Sequence, residues 1–271
     1  MPRGPRLVAT DLDGTLLRTD GSVSARTTAV LAALDEVGVP TVLVTARPPR
    51  WLHELAHVVG PHGLAVCGNG AFVYDVVARH VLREEGFDPA VLQQIVADLR
   101  AALPGVVFAA ERSTGPWVEP DFPDPRRVAD APTFVRAPLD GLDDTPVGKL
   151  LALAPWLPVA EFLGLVAEVV GARGVLAYSG AGGLAEVNPP GVTKAAGLAR
   201  WCAERGIDAS QVWAFGDMPN DLPMLGWAGR SYAVANAHPD VLSAADEICP
   251  ANDDDGVAVV LEMLLARLDG C

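Results

Sequence analysis

Short runs of β-favouring apolar residues recur along the chain, each closing on a polar or glycine-rich turn. They fall at 6–10, 40–45, 64–67, 212–215 and 231–234. A run apolar at consecutive positions suits a strand covered on both faces, as in parallel sheets. Between the runs, apolar residues return at three- and four-residue intervals, as at Ala29, Leu31, Leu34 and Val37 and again at Ala195, Leu198, Trp201 and Cys202, the period of an amphipathic helix. Strand and helix in alternation predict an α/β fold, a doubly wound (Rossmann-like) parallel sheet.

The middle of the chain breaks this rhythm. Helical patterns at 89–102 and 159–170 are mixed with β-like pieces at 106–109, 148–153 and 175–178, and a proline-rich stretch at 116–138 reads as an irregular loop. We therefore expect a core formed by 1–81 and 187–271 and an inserted α+β cap domain at 82–186. A length of 271 residues accommodates two such units.

Half of the residues are apolar, enough for packed cores. The formal net charge of −14 would repel nucleic acid and anionic membrane surfaces, whereas a small anion held by a few local cations remains compatible with it. No apolar run approaches the roughly 20 residues of a membrane span, and the first residues lack a signal-peptide apolar stretch. Cys67, Cys202, Cys249 and Cys271 are scattered without a C-x-x-C pair, so free thiols in a reducing cytoplasm are expected. The run Asp253-Asp254-Asp255 reads as a solvated turn rather than a metal site.

The strongest chemical signal is Val8-Ala9-Thr10-Asp11-Leu12-Asp13-Gly14-Thr15, an apolar strand ending in two acids one residue apart and then a glycine turn. Side chains alternate along a strand, so Asp11 and Asp13 leave its carboxyl end on the same side. In an open α/β sheet that end is where ligands bind. Two carboxylates so close raise each other's pKa, and a divalent cation relieves them. A calcium loop fails on spacing, since its glycine belongs at the sixth position and its glutamate at the twelfth, where this chain has Gly14 fourth and Ser22 twelfth. Helix capping by the acids is the remaining alternative.

Three further segments follow in order: Val42-Leu43-Val44-Thr45, Gly191-Val192-Thr193-Lys194, and Phe215-Gly216-Asp217-Met218-Pro219-Asn220-Asp221. With the D-x-D-G-T segment they resemble the four motifs of the haloacid dehalogenase superfamily of phosphotransferases. Thr45-Ala46-Arg47 and Asn69-Gly70-Ala71 resemble the T-G-R and N-G-A patterns of its Cof-like sugar-phosphate phosphatases, which carry a large α/β cap. Ala46 and Ala195 stand where that group usually has glycine.

The resemblance implies a Mg2+-dependent phosphatase acting on a small phosphorylated metabolite through an aspartyl-phosphate. Asp11 would be the nucleophile and Asp13 the acid and base. Asp11, the Asp13 backbone carbonyl and Asp217 would hold Mg2+, with Asp221 behind them. Thr45, Lys194 and Asn220 would contact phosphate, and Arg47, Asn69 and Asn188 are candidates for substrate contact. In the cap, Arg112, Trp117, Glu119, Lys149 and Tyr178 are further selectivity candidates. A phosphomutase or a catalytically silent binder of phosphometabolites on the same fold are the alternatives. A signalling receiver fits poorly, because it needs no inserted domain.

Overall fold

A computed structural model describes residues 4–60, 62–123, 134–179 and 183–269. The first part of the chain gives β1 (Leu7–Thr10), α1 (Ala25–Glu36), β2 (Thr41–Val44), β3 (Leu64–Cys67) and the hairpin β4 (Phe72–Asp75) and β5 (His80–Glu84). The middle gives α2 (Pro89–Ala102), β6 (Val107–Arg112), β7 (Trp117–Val118), β8 (Val135–Arg136), β9 (Val147–Leu153), α3 (Val159–Val170), β10 (Val175–Ala177) and β11 (Leu184–Asn188). The last part gives α4 (Lys194–Ala203), β12 (Val212–Gly216), α5 (Leu222–Trp227), β13 (Arg230–Val234), α6 (Pro239–Ala244), β14 (Glu247–Cys249) and α7 (Gly256–Asp269).

Two sheets result. The first has the order β14-β13-β12-β1-β2-β3-β4-β5. It is parallel from β14 to β3 and antiparallel across the β4–β5 hairpin. All four residues of β1 are fully buried, the signature of a strand covered on both faces. Helix α1 packs on α7, and α4 packs on α5. Because β1 lies between β12 and β2, the chain winds outward in both directions from β1, and the crevice at that reversal opens at the strands' carboxyl ends. The predicted α/β core is the observed one.

The second sheet has the order β10-β11-β9-β6-β7-β8 and is antiparallel except for the β7–β8 pair. One face, carrying Phe108, Ala110, Leu150, Ala152, Ala185 and Val187, packs on Ile95 and Leu99 of α2 and Phe162 and Val166 of α3. Strand alternation sends Glu111, Lys149, Glu186 and Asn188 to the other face, and all four are buried there.

Helices α2 and α3 have the bounds that apolar periodicity predicts. The 116–138 stretch differs from a plain loop: β7 and β8 pair within it, and residues 124–133 lie outside the described ones. The hairpin strand β5 gives no sequence signal because its residues are partly or fully exposed. The acidic run at 253–255 is more than a solvated turn. Asp253 accepts hydrogen bonds from the Thr19 N–H and hydroxyl, both at 2.8 Å, and Asp255 pairs with Arg18 at 2.9 Å. These contacts tie down the segment that follows the D-x-D-G-T turn. No helix among the described residues is long and apolar enough to cross a membrane, and Cys67, Cys202 and Cys249 are free and buried.

Candidate active site

The site forms where β1 and β12 end side by side. The Asp11 N–H donates to the Phe215 carbonyl at 3.0 Å, so the ladder carries Asp11 to the rim one step from Gly216 and Asp217. Chain reversal after Asp13 places Gly14 at φ +78°, and a side chain there would run into the Asp217 carboxylate. Glycine is thus required both by its conformation and by the closeness of an acid. Thr15 donates to Asp217 at 2.8 Å and fixes its orientation.

Helix α4 brings the cation. Thr193 caps the helix by accepting from the Ala196 N–H, and Lys194 at the first position is 1% exposed. Its ammonium lies 2.8 Å from Asp11 and 2.6 Å from Asp221. The other Asp221 oxygen accepts from the N–H groups of Asp217 and Met218 at 3.1 and 3.0 Å. Asp221 is thereby used up in positioning Lys194 and the turn that carries Asp217.

Asp11, Asp217 and Asp221 each bring a carboxylate oxygen within 4.8 Å of the others, and all three are buried. Against three carboxylates stands one ammonium. Burial pushes the Asp11 carboxyl well above the ordinary carboxylate range against the pull of Lys194, and the charges of Asp221 and Asp217 push it further. Asp217 is pushed up to about 6, by burial first and then by Asp221. Burial works to deprotonate Lys194, yet Asp11 and Asp221 outweigh it and raise its pKa. The excess negative charge and the hard oxygen donors of Asp11 and Asp217 fit a divalent cation.

Asp13 is in a different environment. Its side chain is 59% exposed and pairs with Arg47 through two hydrogen bonds of 2.8 and 2.5 Å. Thr45 at the end of β2 is fully buried, and its hydroxyl oxygen accepts from the Arg47 N–H at 3.1 Å, which leaves the hydroxyl proton free to donate.

A buried polar group from the second sheet meets this site. The Lys149 ammonium donates to the Ala46 carbonyl and to Glu186, both at 2.8 Å. Glu186 also accepts from Asn69 at 2.9 Å and from Ser179. Burial alone would raise the Glu186 carboxyl, but the Lys149 charge and the hydrogen bonds from Lys149, Ser179 and Asn69 hold it below the ordinary range. Asn69, at φ +57°, lies on a turn brought against α4 by Gly70, whose α-carbon faces the Thr193 carbonyl with no room for a side chain.

Of the residues singled out in the sequence, the structure brings Asp11, Lys194, Asp217 and Asp221 into one buried cluster, with Asp13, Thr45 and Arg47 at its edge. Asn69, Asn188 and Asn220 form an adjoining amide chain. Asn220 donates one amide N–H to Asn69 at 3.3 Å, and its second N–H is still available to donate to a phosphate oxygen. Arg47 meets Asp13 rather than an open pocket. Arg112 pairs with Asp143 and lies over Trp117, and Glu119 accepts from Arg100 and the Phe108 N–H, so these three support the second sheet. Glu186 was missed. Its partners Lys149 and Asn69 are 37 and 117 residues away, and no local pattern marks it.

A family model described as haloacid dehalogenase-like hydrolase matches residues 8–261. The chain belongs to that family. Among curated relatives of this hydrolase, a phosphoglycolate phosphatase of Methanopyrus kandleri is 28% identical over 97% of this chain and 98% of its own length. An HMP-PP phosphatase of Yersinia enterocolitica is 28% identical over 96% of each. Among solved structures, SMU.1108c of Streptococcus mutans superposes with a TM-score of 0.83 at 25% identity, covering 97% of this chain and all of the other.

Proposed function

We propose that this hydrolase is a Mg2+-dependent phosphatase that cleaves a small phosphorylated metabolite through a phosphoryl group carried on Asp11. The observation that carries the reading is the contrast between two acids at one strand end. Asp11 is buried beside Lys194 and Asp217, whereas Asp13 reaches solvent and an arginine. Two carboxyl groups in unlike surroundings suit unlike roles. The phosphatase names of the full-length relatives support the same class.

In the first half-reaction an Asp11 oxygen attacks phosphorus, the bond to the alcohol oxygen breaks, and Asp13 gives its proton to the departing alcohol. In the second, Asp13, now ionised and of the charge that pairs with Arg47, takes a proton from water. The water oxygen attacks phosphorus and the bond to Asp11 breaks. Asp13 ends protonated, as it began. Lys194 and the Thr45 hydroxyl hold the phosphate oxygens, and the N–H groups of the Leu12–Gly14 turn add to them. Bound by Asp11 and Asp217, with the Asp13 carbonyl as the family resemblance implies, Mg2+ would offset the buried carboxylates and the charge of the phosphoryl oxygens. The second sheet and its helices, which run from α2 to the end of β11 at Asn188 and so nearly coincide with the expected 82–186, serve as a cap that excludes water and contacts the organic part of the substrate.

The test is phosphate release from a broad panel of phosphorylated metabolites with Mg2+ present. Release from at least one compound, lost in chelator and in Asp11→Asn, is expected. A panel without turnover, or turnover that survives Asp11→Asn, would overturn the reading.

A further inference from the structure

A cavity of about 570 Å3 lies apart from the carboxylate cluster, none of whose residues lines it. A volume of that order takes a small metabolite. It follows the outer strand β5 from His80 to Glu84, a length of roughly 13 Å. The first sheet and the turn after β2 supply most of its wall, and the turn at 112–115, between β6 and β7, supplies the rest. The groove therefore straddles the seam between the two sheets' units.

In a chain of net charge −14 its lining is basic. It takes four of the 20 lysines and arginines and two of the 5 histidines, against one of the 34 acids, Glu84. Three of those arginines are committed: Arg50 to Glu111, Arg83 to Glu204 and Arg112 to Asp143. Arg79 has no carboxylate partner among the described residues and is exposed. Its backbone, at φ +54°, takes a conformation that suits glycine or asparagine at a hairpin turn. A cation held there against that preference points to a use for its charge.

His53 and His80 stand beside it. Burial, and then the Arg79 charge, hold the His53 pKa below the ordinary histidine range. A 2.6 Å hydrogen bond between His53 Nε2 and the Tyr74 hydroxyl fixes the ring and leaves Nδ1 unpaired. His80 follows Arg79 in the chain and is exposed. An anion among these three groups would relieve their mutual repulsion and gain charged donors. At the other end β5 leads into the link to α2. There Ser113 and Thr114 offer hydroxyls that make no hydrogen bond among the described residues. Val81 and Leu82 lie between the two ends.

We propose that this groove is a second ligand site, for a small phosphorylated metabolite acting as an effector. The phosphate sits among Arg79, His53 and His80, and the organic part runs over Val81 and Leu82 to the hydroxyls of Ser113 and Thr114. Such a ligand touches both units beside the link that joins them and holds one against the other. The site stands independently of the phosphatase reading.

The test uses the full-length protein in chelator, with inorganic phosphate and ribose 5-phosphate as probes. Histidine ring signals in NMR locate the binding, and calorimetry gives affinity. Both probes should raise the titration midpoints of His53 and His80. His62, which faces Asp35 outside the groove, should stay and so controls for ionic strength. His238, whose N–H donates to the Asp217 carbonyl at 2.8 Å, reports on the carboxylate cluster and should also stay. Ribose 5-phosphate should bind about tenfold more tightly than phosphate. Arg79→Asn, which suits the same backbone conformation, should weaken both by about tenfold or more. The double variant Ser113→Ala, Thr114→Val should bring the two probes to within about threefold.

Unmoved midpoints of His53 and His80 at millimolar probe overturn the proposal. So does movement of His238 alone, which would place the anion at the carboxylate cluster, or of all the histidines together, which would report ionic strength. Affinity unchanged in Arg79→Asn, or a preference for the sugar phosphate that is absent from wild type or survives the double variant, overturns it as well.

Discussion

Replacing Asp217 by Asn should make the metal-free protein more stable while abolishing its response to Mg2+. The Asp217 carboxyl rises from an ordinary 3.8 to about 6, through burial and the Asp221 charge. That shift of roughly two units is worth about 3 kcal/mol. Below about pH 4 the group is protonated in folded and unfolded chains alike and costs nothing. Between about pH 4 and pH 6 the folded chain keeps a proton that the unfolded chain has lost, so stability falls as pH rises, and above about pH 6 the full cost is present.

Asparagine keeps the shape, can still accept from Thr15 and carries no charge to bury. The variant should therefore match wild type near pH 4 and exceed it by up to about 3 kcal/mol near pH 8 in chelator. For a chain of this size that is a rise in Tm of roughly 6–12 °C. Thermal melts of both proteins across this pH range, with and without Mg2+, make the comparison. Added Mg2+ should raise the wild-type Tm and leave the variant unmoved. A variant no more stable than wild type at about pH 8 in chelator would refute the claim that the buried acids are short of positive charge.

Lys194→Met removes the ammonium shared by Asp11 and Asp221 and should destabilise the metal-free protein by about 3–5 kcal/mol in a denaturant titration, as when one partner of a buried ion pair is lost. Asp13→Asn leaves the buried cluster intact and should lower kcat/KM by about 100- to 10,000-fold for alkyl phosphates, and by much less for nitrophenyl phosphate, whose leaving group needs no proton, while kcat falls for both because the same side chain deprotonates the water. Gly14→Ala places a methyl group against the Asp217 carboxylate at φ +78° and should weaken Mg2+ binding, read by calorimetry, more than it lowers Tm. Lys149→Met should destabilise by about 3–5 kcal/mol, and adding Glu186→Leu should restore much of the loss by removing the stranded charge.

The parallel core and the carboxylate cluster were legible in the sequence for one reason. Each functional residue there sits just beyond a buried strand or at a helix start, so local patterns place Asp11, Thr45, Lys194 and Asp217 at one sheet edge. Helices α2 and α3 were legible because each buries a continuous apolar stripe. Periodicity has no purchase on the β4–β5 hairpin, whose outer strand is partly or fully exposed, or on two-residue strands such as β7 and β8. The polar chain from Glu186 to Asn220 is hidden for a different reason. Its hydrogen bonds join residues 117 and 151 positions apart, and an amide's orientation follows from its partners rather than from its neighbours in sequence.

The hydrogen bonds that run from Glu186 through Asn69 to Asn220 also bear on how the two sheets part. They join a strand of the second sheet to the turns that follow β3 and β12 of the first, so the seam beside the carboxylate cluster is closed by polar groups. Separation there exchanges these bonds for bonds to water rather than exposing apolar surface, and each exchange costs only about 0.5–1.5 kcal/mol. A seam built this way opens with little change in free energy, yet closes in one arrangement.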